Sequence, residues 1–210
     1  MGLGNPGPRY DATRHNAGFL AIDELAARTR AAGSVADDVW LAEAALADEP
    51  LLLVKPQSFM NQSGGPVARL LAERAGSAQD LVVIVDDVAL PLGRLRVRPS
   101  GSDGGHNGLS SIASALGTET FARVRIGIGP WASPPELETE RDSIPRSEGG
   151  GVAQHPPRFT EPLRDFVLAD FLPEEQPRLR EVVGLAADAV ACLVAEGPAA
   201  AMNRFNGRTI

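Results

Sequence analysis

The chain has 210 residues, of which 43% are hydrophobic and 22% charged, and its formal net charge is −7. This length suits one domain, and this apolar fraction excludes a chain that is disordered throughout. No apolar run reaches the length of a membrane span and no signal-peptide pattern opens the sequence, so we expect a cytoplasmic protein with no membrane partner. The acidic net charge, taken alone, argues against a nucleic-acid partner.

Helix and strand signals alternate over the first half of the chain. Apolar residues at helical spacing predict a helix over 17–30. The apolar run at 51–54 stops before Pro56 and predicts a buried strand. Asn61 is placed to cap a helix that runs to about Ala75.

The same alternation continues towards the C-terminus. The β-branched run at 81–85 predicts a central strand that ends at Asp86 and Asp87, and alternating patterns predict strands over 94–98 and 122–128. A helix starts at His106 or Asn107 and runs to Leu116, and an amphipathic helix covers 174–196. Such alternation predicts an α/β sandwich with a parallel or mixed sheet. Residues 130–160 are rich in Pro, Gly, Ser and Glu and interrupt it, so we expect a flexible surface insertion there.

The opening residues 2–7 fit the pattern G-x-G-x-x-G, which in other proteins binds a dinucleotide. That pattern requires a strand before it and a helix after it. Only Met1 precedes it here, and Pro6 and Pro8 disfavour a helix. A glycine-rich turn that presents Asn5 is the better interpretation.

A histidine that acts as a general base gains from a carboxylate that fixes its tautomer. His15 and His106 both lie where a loop meets a predicted helix, and Asp86 and Asp87 follow the most apolar strand. No nucleophile motif is present, and Cys192, the single cysteine, falls on the apolar face of the last helix. The residues therefore favour water attack assisted by histidine over covalent catalysis.

Asparagines occupy similar positions at the edges of predicted elements: Asn5, Asn16, Asn61 and Asn107. An amide side chain can hold a peptide or stabilise a developing oxyanion. Each of these residues can equally serve as a helix cap or a turn residue.

A local basic cluster contrasts with the acidic whole. Arg94, Arg96 and Arg98 alternate on one predicted strand, and Arg123 and Arg125 alternate on another. Residues 1–130 carry a net charge of −2 and residues 131–210 carry −5, so most of the acidity lies elsewhere. Two adjacent strands of this kind would form a phosphate-binding surface, or the arginines would pair with nearby acids.

Six segments together resemble the bacterial-type peptidyl-tRNA hydrolase family. In chain order they are GLGNPGPRYDATRHNAGF (2–19), KPQSFMNQSG (55–64), VVIVDDVALPLGRLRVR (82–98), GGHNGLSSI (104–112), RVRIGIG (123–129) and AMNRFN (201–206). The resemblance implies one domain over 1–210, a three-layer α/β/α sandwich with a twisted mixed sheet. It also implies hydrolysis of the ester between a peptide and tRNA by a monomer that needs no metal or cofactor. A non-catalytic RNA-binding member of the same family is the alternative.

The resemblance assigns roles to residues at matching positions. His15 matches the base that activates water, and Asp86 matches the carboxylate that orients it. Arg98 and Arg125 match a pair that binds a tRNA phosphate, whereas His106 is expected to be structural. The remaining matches line the substrate cleft: Asn5, Tyr10, Phe59, Met60, Asn61 and Asn107.

The sequence departs from the family pattern in two further places besides the insertion. The short strand that usually precedes GLGNPG is missing, so we expect the first strand to be truncated and the true start to lie upstream. Ala89 stands where the family usually has an acid, which weakens the acidic cluster after Asp86.

Overall fold

A computed structural model describes residues 1–46, 49–129, 161–208 and 210. Within these ranges the strands are β1 (Ser34–Ala36), β2 (Val39–Leu46), β3 (Glu49–Pro56), β4 (Val82–Pro91), β5 (Leu95–Arg98) and β6 (Ala122–Gly129). The helices are α1 (Ala17–Thr29), α2 (Gly64–Glu73), α3 (Asn107–Leu116), α4 (Glu161–Leu168) and α5 (Gln176–Phe205). The insertion predicted at 130–160 lies outside the described residues.

Two groups of three strands build the sheet. β1, β2 and β3 are antiparallel neighbours, whereas β6 lies between β4, its parallel neighbour, and β5, its antiparallel one. The first residues of the chain join the two groups, because the Gly2 N–H donates to the Val54 carbonyl and the Leu3 N–H to the Ile84 carbonyl. The prediction of a mixed sheet is confirmed.

Helices cover both faces of this sheet. α1 and α5 share one core cluster with the strands, which includes Ile22, Ile84, Val124 and Val182. On the opposite face α2 and α3 pack over a second cluster. The α/β/α three-layer arrangement predicted from the sequence is therefore confirmed.

The last helix is the longest, and by length and composition the segment Pro173–Phe205 could cross a membrane. Leu179, Val182, Ala186 and Val190 are buried in the core cluster that α5 shares with α1 and the sheet. Gly197 has non-helical backbone angles and precedes Pro198, so the helix is kinked there. Burial of this kind is typical of a core helix in a folded domain.

Most predicted elements appear within a few residues of their expected limits. The cap proposed for Asn61 is wrong: Asn61 lies in a short turn, Met60–Gln62, and α2 begins at Gly64. The hairpin of β1 and β2 was not predicted. The last helix extends to Phe205, well beyond the expected end at 196, because the kink does not stop it.

Candidate active site

Asp86, in the middle of β4, forms a buried pair with His15, and the strand continues to Pro91 beyond the end that the sequence predicted at Asp86 and Asp87. The His15 Nδ1 atom lies 2.9 Å from Asp86 Oδ1 and 3.1 Å from Oδ2. A carboxylate only accepts hydrogen bonds, so the network assigns the proton of neutral His15 to Nδ1. The Nε2 atom of the same ring is then the basic nitrogen.

A close approach of α1 to the sheet brings His15 to Asp86. The short turn Arg14–Asn16 leads directly into α1, whose second residue is Gly18. A Cβ atom on Gly18 would lie 2.5 Å from the carbonyl oxygens of Leu3 and Ile84, so only glycine fits. The helix start therefore lies directly against β4 and the first residues of the chain.

His106 also binds Asp86. Its Nε2 atom lies 3.0 Å from Asp86 Oδ1, and its Nδ1 atom accepts from the backbone N–H groups of Gly108 and Leu109 at the start of α3. The preceding Gly104 and Gly105 both have positive φ, at 62° and 82°, which allows the sharp turn into this cap. The sequence had suggested only a structural role for His106.

The protonation states follow from these contacts. Burial alone would raise the pKa of Asp86, but attraction to the two histidines outweighs it and holds that pKa well below its usual range. Burial lowers the pKa of His106 and outweighs the opposing attraction of Asp86. At neutral pH the site thus contains a charged carboxylate beside a neutral His106.

The three side chains of this group also form the kind of cluster that can hold a metal ion. One donor atom from each of His15, Asp86 and His106 lies within 4.8 Å of the others. The lone pair of His106 is engaged at Nδ1 by the α3 cap, so its Nε2 carries the proton and has no lone pair to offer. Hydrogen bonding within the protein accounts for the geometry of the cluster.

A cleft of about 540 Å³ opens above His15. It contains every residue that the sequence predicted for substrate contact. The lining consists of Asn5, Tyr10, His15, Phe59, Met60, Asn61, Asn107, Arg164, Val167 and Leu168.

Asn5 and Asn16 form the part of the cleft wall that comes from the first residues of the chain. The Asn5 Oδ1 atom accepts from the Met60 N–H at 2.9 Å and so fixes the turn that carries Asn61. The Asn16 amide exchanges hydrogen bonds with the backbone of Asn5, at 2.8 and 3.0 Å. Asn61 and Asn107 are exposed, whereas the side-chain amide of Asn16 is occupied by its hydrogen bonds to the Asn5 backbone.

Aromatic rings form the rim of the cleft. Tyr10 and Phe59 meet edge to face, with centroids 6.4 Å apart. Phe59 is 54% exposed, so its ring is accessible from the cleft.

The predicted arginine surface exists, but its members differ. β5 and β6 are neighbours, and Arg96 faces Arg125 while Arg98 faces Arg123. Arg96 and Arg98 are exposed. Arg123 is buried and donates to the carbonyls of Ser102 and Glu119, and Arg125 lies 3.0 Å from the Asp87 carboxylate. Pairing with an acid is therefore observed for Arg125, and phosphate binding by the exposed arginines stays a prediction.

Two other sequence features are settled by the local geometry. The Asp87 carboxylate accepts from the Ala89 N–H, so this turn is closed without an acid at position 89. The glycine-rich opening leads into a turn rather than a helix, and α1 begins at Ala17. The dinucleotide-binding interpretation therefore lacks the helix that it requires.

The contribution of α4 to the cleft was missed by the sequence analysis. Arg14 anchors this helix: its guanidinium lies 4.8 Å from the Phe166 ring centroid and 5.0 Å from that of Phe171, and it pairs with Glu175 at 2.8 Å. The backbone N–H of Arg14 donates to the Ala169 carbonyl. These partners lie far from Arg14 in the sequence, so no local sequence pattern predicts the contacts.

Comparison with known proteins identifies the family of the chain. The family model described as Peptidyl-tRNA hydrolase matches residues 1–144 and 146–210. A peptidyl-tRNA hydrolase of Geobacter sp. (strain M21) is 39% identical, with 99% of this chain and 97% of the relative covered, and one of Frankia casuarinae is 41% identical, with 98% and 91% covered. The crystal structure of peptidyl-tRNA hydrolase from Acinetobacter baumannii matches with a TM-score of 0.81 at 27% identity, over 99% of this chain and 93% of that one. With a family match along nearly its whole length and the fold of a solved member, the chain belongs to the peptidyl-tRNA hydrolase family.

Proposed function

We propose that this chain hydrolyses the ester that joins a peptide to the 3′ end of tRNA, with His15 as the general base. The observation that carries the proposal is the buried His15–Asp86 pair at the floor of a cleft lined by amides and aromatic rings. Family membership supports the reaction, and the geometry supports the choice of these residues.

The chemistry requires one water molecule. His15 Nε2 takes a proton from the water as its oxygen attacks the ester carbonyl, and Asp86 stabilises the imidazolium that forms. When the tetrahedral intermediate collapses, the ester C–O bond breaks and the same proton passes to the 3′ oxygen of the ribose. The products are tRNA with a restored hydroxyl group and the peptide acid, which releases the second proton of the water to become a carboxylate.

The exposed amides of Asn61 and Asn107 hold the peptide and position the ester, and Asn5 completes this wall. Met60, Tyr10 and Phe59 contact apolar parts of the substrate. Selectivity for peptidyl over aminoacyl esters follows, because a free charged amine would not satisfy amides arranged for a peptide group.

The tRNA itself binds at the arginine surface. Arg98 and Arg125 contact a phosphate of the acceptor arm, which positions the RNA without reading its sequence. The surrounding strands form a rigid platform for this contact.

The reaction needs no metal and no organic cofactor. Its base, its orienting carboxylate and its amides are all side chains of this chain, and His106 offers a metal no lone pair. We further propose that residues 1–210 form one domain that acts as a monomer in the cytoplasm. The burial of α5 in the core supports a core helix over a membrane-spanning one. The strand predicted to precede Met1 stays a prediction.

The test is release of tRNA from an N-blocked aminoacyl-tRNA in the presence of a chelator. His15→Ala should lower kcat by roughly 10²–10⁴-fold, because the loss is that of a positioned general base. Asn203→Ala, an exposed asparagine of α5, is the control and should retain full activity.

The outcomes separate the competing functions. Full activity of His15→Ala would refute the mechanism. Tight tRNA binding by the wild type without any hydrolysis would identify a non-catalytic RNA-binding member instead. Loss of activity with the chelator, restored by a divalent metal, would contradict the metal-independent scheme.

A further inference from the structure

The helix α4 presents one charged side chain to the cleft. Arg164, Val167 and Leu168 line it, and their spacing places all three on the same helix face. Val167 is buried and secures the helix, whereas Arg164 is exposed. The cationic group therefore lies at the open side of the cleft that contains His15.

The position of Arg164 is fixed by the attachment of α4. Immediately after this helix, the Ala169 carbonyl accepts from the Arg14 N–H at 3.0 Å, and the Phe171 N–H donates to the Ala12 carbonyl at 3.3 Å. Arg14 is the residue before His15 in the chain. The helix that carries Arg164 is thus bonded to the same turn that carries the catalytic base.

Arg164 has no carboxylate within ion-pair distance among the residues that the structure describes. Its neighbours in the cleft are amides, aromatic rings, a histidine and apolar side chains. A guanidinium in such surroundings is suited to an anion supplied by the substrate.

The substrate offers one invariant anion near the scissile bond, an argument that rests on the proposed function. Peptide side chains vary and the peptide backbone is neutral, but each peptidyl-tRNA has a phosphodiester on the terminal nucleotide, the same nucleotide that bears the ester. We propose that Arg164 binds this last phosphodiester and so fixes the terminal nucleotide over His15. This contact lies inside the cleft and is separate from the arginine surface on β5 and β6.

The test compares two substrates that differ only at that linkage. One is an N-acetyl-aminoacyl-tRNA with its natural phosphodiesters, and the other has a neutral methylphosphonate at the last linkage. Wild type should lose about ten- to a hundredfold in kcat/KM on the neutral substrate, the size expected for a charge-assisted hydrogen bond. Arg164→Gln should lose as much on the natural substrate and should discriminate little between the two.

Two further variants complete the experiment. Arg164→Lys should recover part of the activity on the natural substrate, because it keeps the charge without the bidentate fork. Arg180→Gln removes an exposed arginine of α5 and should behave as wild type on both substrates.

The remaining outcomes overturn the proposal. Equal losses for Arg164→Gln on both substrates would mean that Arg164 acts elsewhere on the substrate or on the fold. Unchanged activity of Arg164→Gln on both substrates would mean that Arg164 makes no contact with the substrate. Failure of the wild type to hydrolyse the natural substrate would instead refute the proposed function, so the two ideas fail in distinguishable ways.

Discussion

At the scale of single residues, Asp86 controls the site through its charge. It is 2% exposed and accepts hydrogen bonds from His15 and His106. Its lowered pKa means that the folded state favours the carboxylate more strongly than the unfolded chain does. The resulting stability is fully present above the ordinary carboxyl pKa of 3.8 and is lost as the pH falls from there through the folded value.

This linkage predicts how Asp86→Asn changes stability with pH. We expect the variant to be less stable than wild type at pH 7, because the histidines lose the carboxylate that they face. Between about pH 4 and pH 3 the wild type should lose more stability than the variant, so the two curves converge. Urea unfolding at a series of pH values measures this, and parallel curves would contradict the assignment.

At the scale of elements, the attachment of α4 depends on Arg14. The guanidinium is 5% exposed, stacks against two phenylalanine rings, donates to the Asp170 carbonyl at 3.2 Å and pairs with Glu175. These contacts lie at the end of α4 and just after it. Arg14 therefore holds α4 at the cleft together with Val167, which is buried in the core.

Arg14→Met should destabilise the protein by about 1–3 kcal/mol, because it removes buried cation–π contacts and charge-assisted hydrogen bonds. Hydrogen exchange should accelerate most at 163–171. Arg28→Met is the matched control: Arg28 bonds Glu24 and Asp188 at the surface, where such pairs contribute roughly 0–1 kcal/mol. Uniform acceleration across the chain would mean that Arg14 does not anchor α4 specifically.

At the scale of the whole molecule, the net charge is −7, yet four arginines lie on the neighbouring strands β5 and β6, where we propose that tRNA binds. These arginines differ in how much charge they offer. Arg98 is exposed, while Arg125 is held beside Asp87, which offsets much of its charge.

Salt dependence of tRNA binding should reveal this difference. Arg98→Gln should reduce the slope of log affinity against log salt by about one, because one phosphate contact is lost. Arg125→Gln should reduce this slope by less, because Asp87 already offsets much of the Arg125 charge. Affinities measured at several salt concentrations provide the test, with Arg180→Gln as a neutral control, and equal reductions for both variants would show that Asp87 does not screen Arg125.

How far the sequence predicts this molecule depends on the range of the interactions. α1, β4 and β6 follow from local periodicity, and the site motifs place His15 just before α1. Asp86 was expected at the end of β4 but lies inside it, because the strand continues to Pro91. The β1–β2 hairpin was missed because its residues mix alanine with acids and lack clear alternation. The histidine pair around Asp86 and the anchoring of α4 by Arg14 depend on contacts between distant segments, which no local pattern encodes.

The hydrogen bonds of His106 couple the start of α3 to Asp86, the carboxylate of the proposed catalytic pair. The backbone amides of Gly108 and Leu109 hold one side of the imidazole, and its other side donates to Asp86. Fraying of this first helical turn would release the ring and withdraw a donor from the carboxylate. We therefore expect a local opening of α3 to lower the activity proposed for His15, which lies in the separate turn Arg14–Asn16.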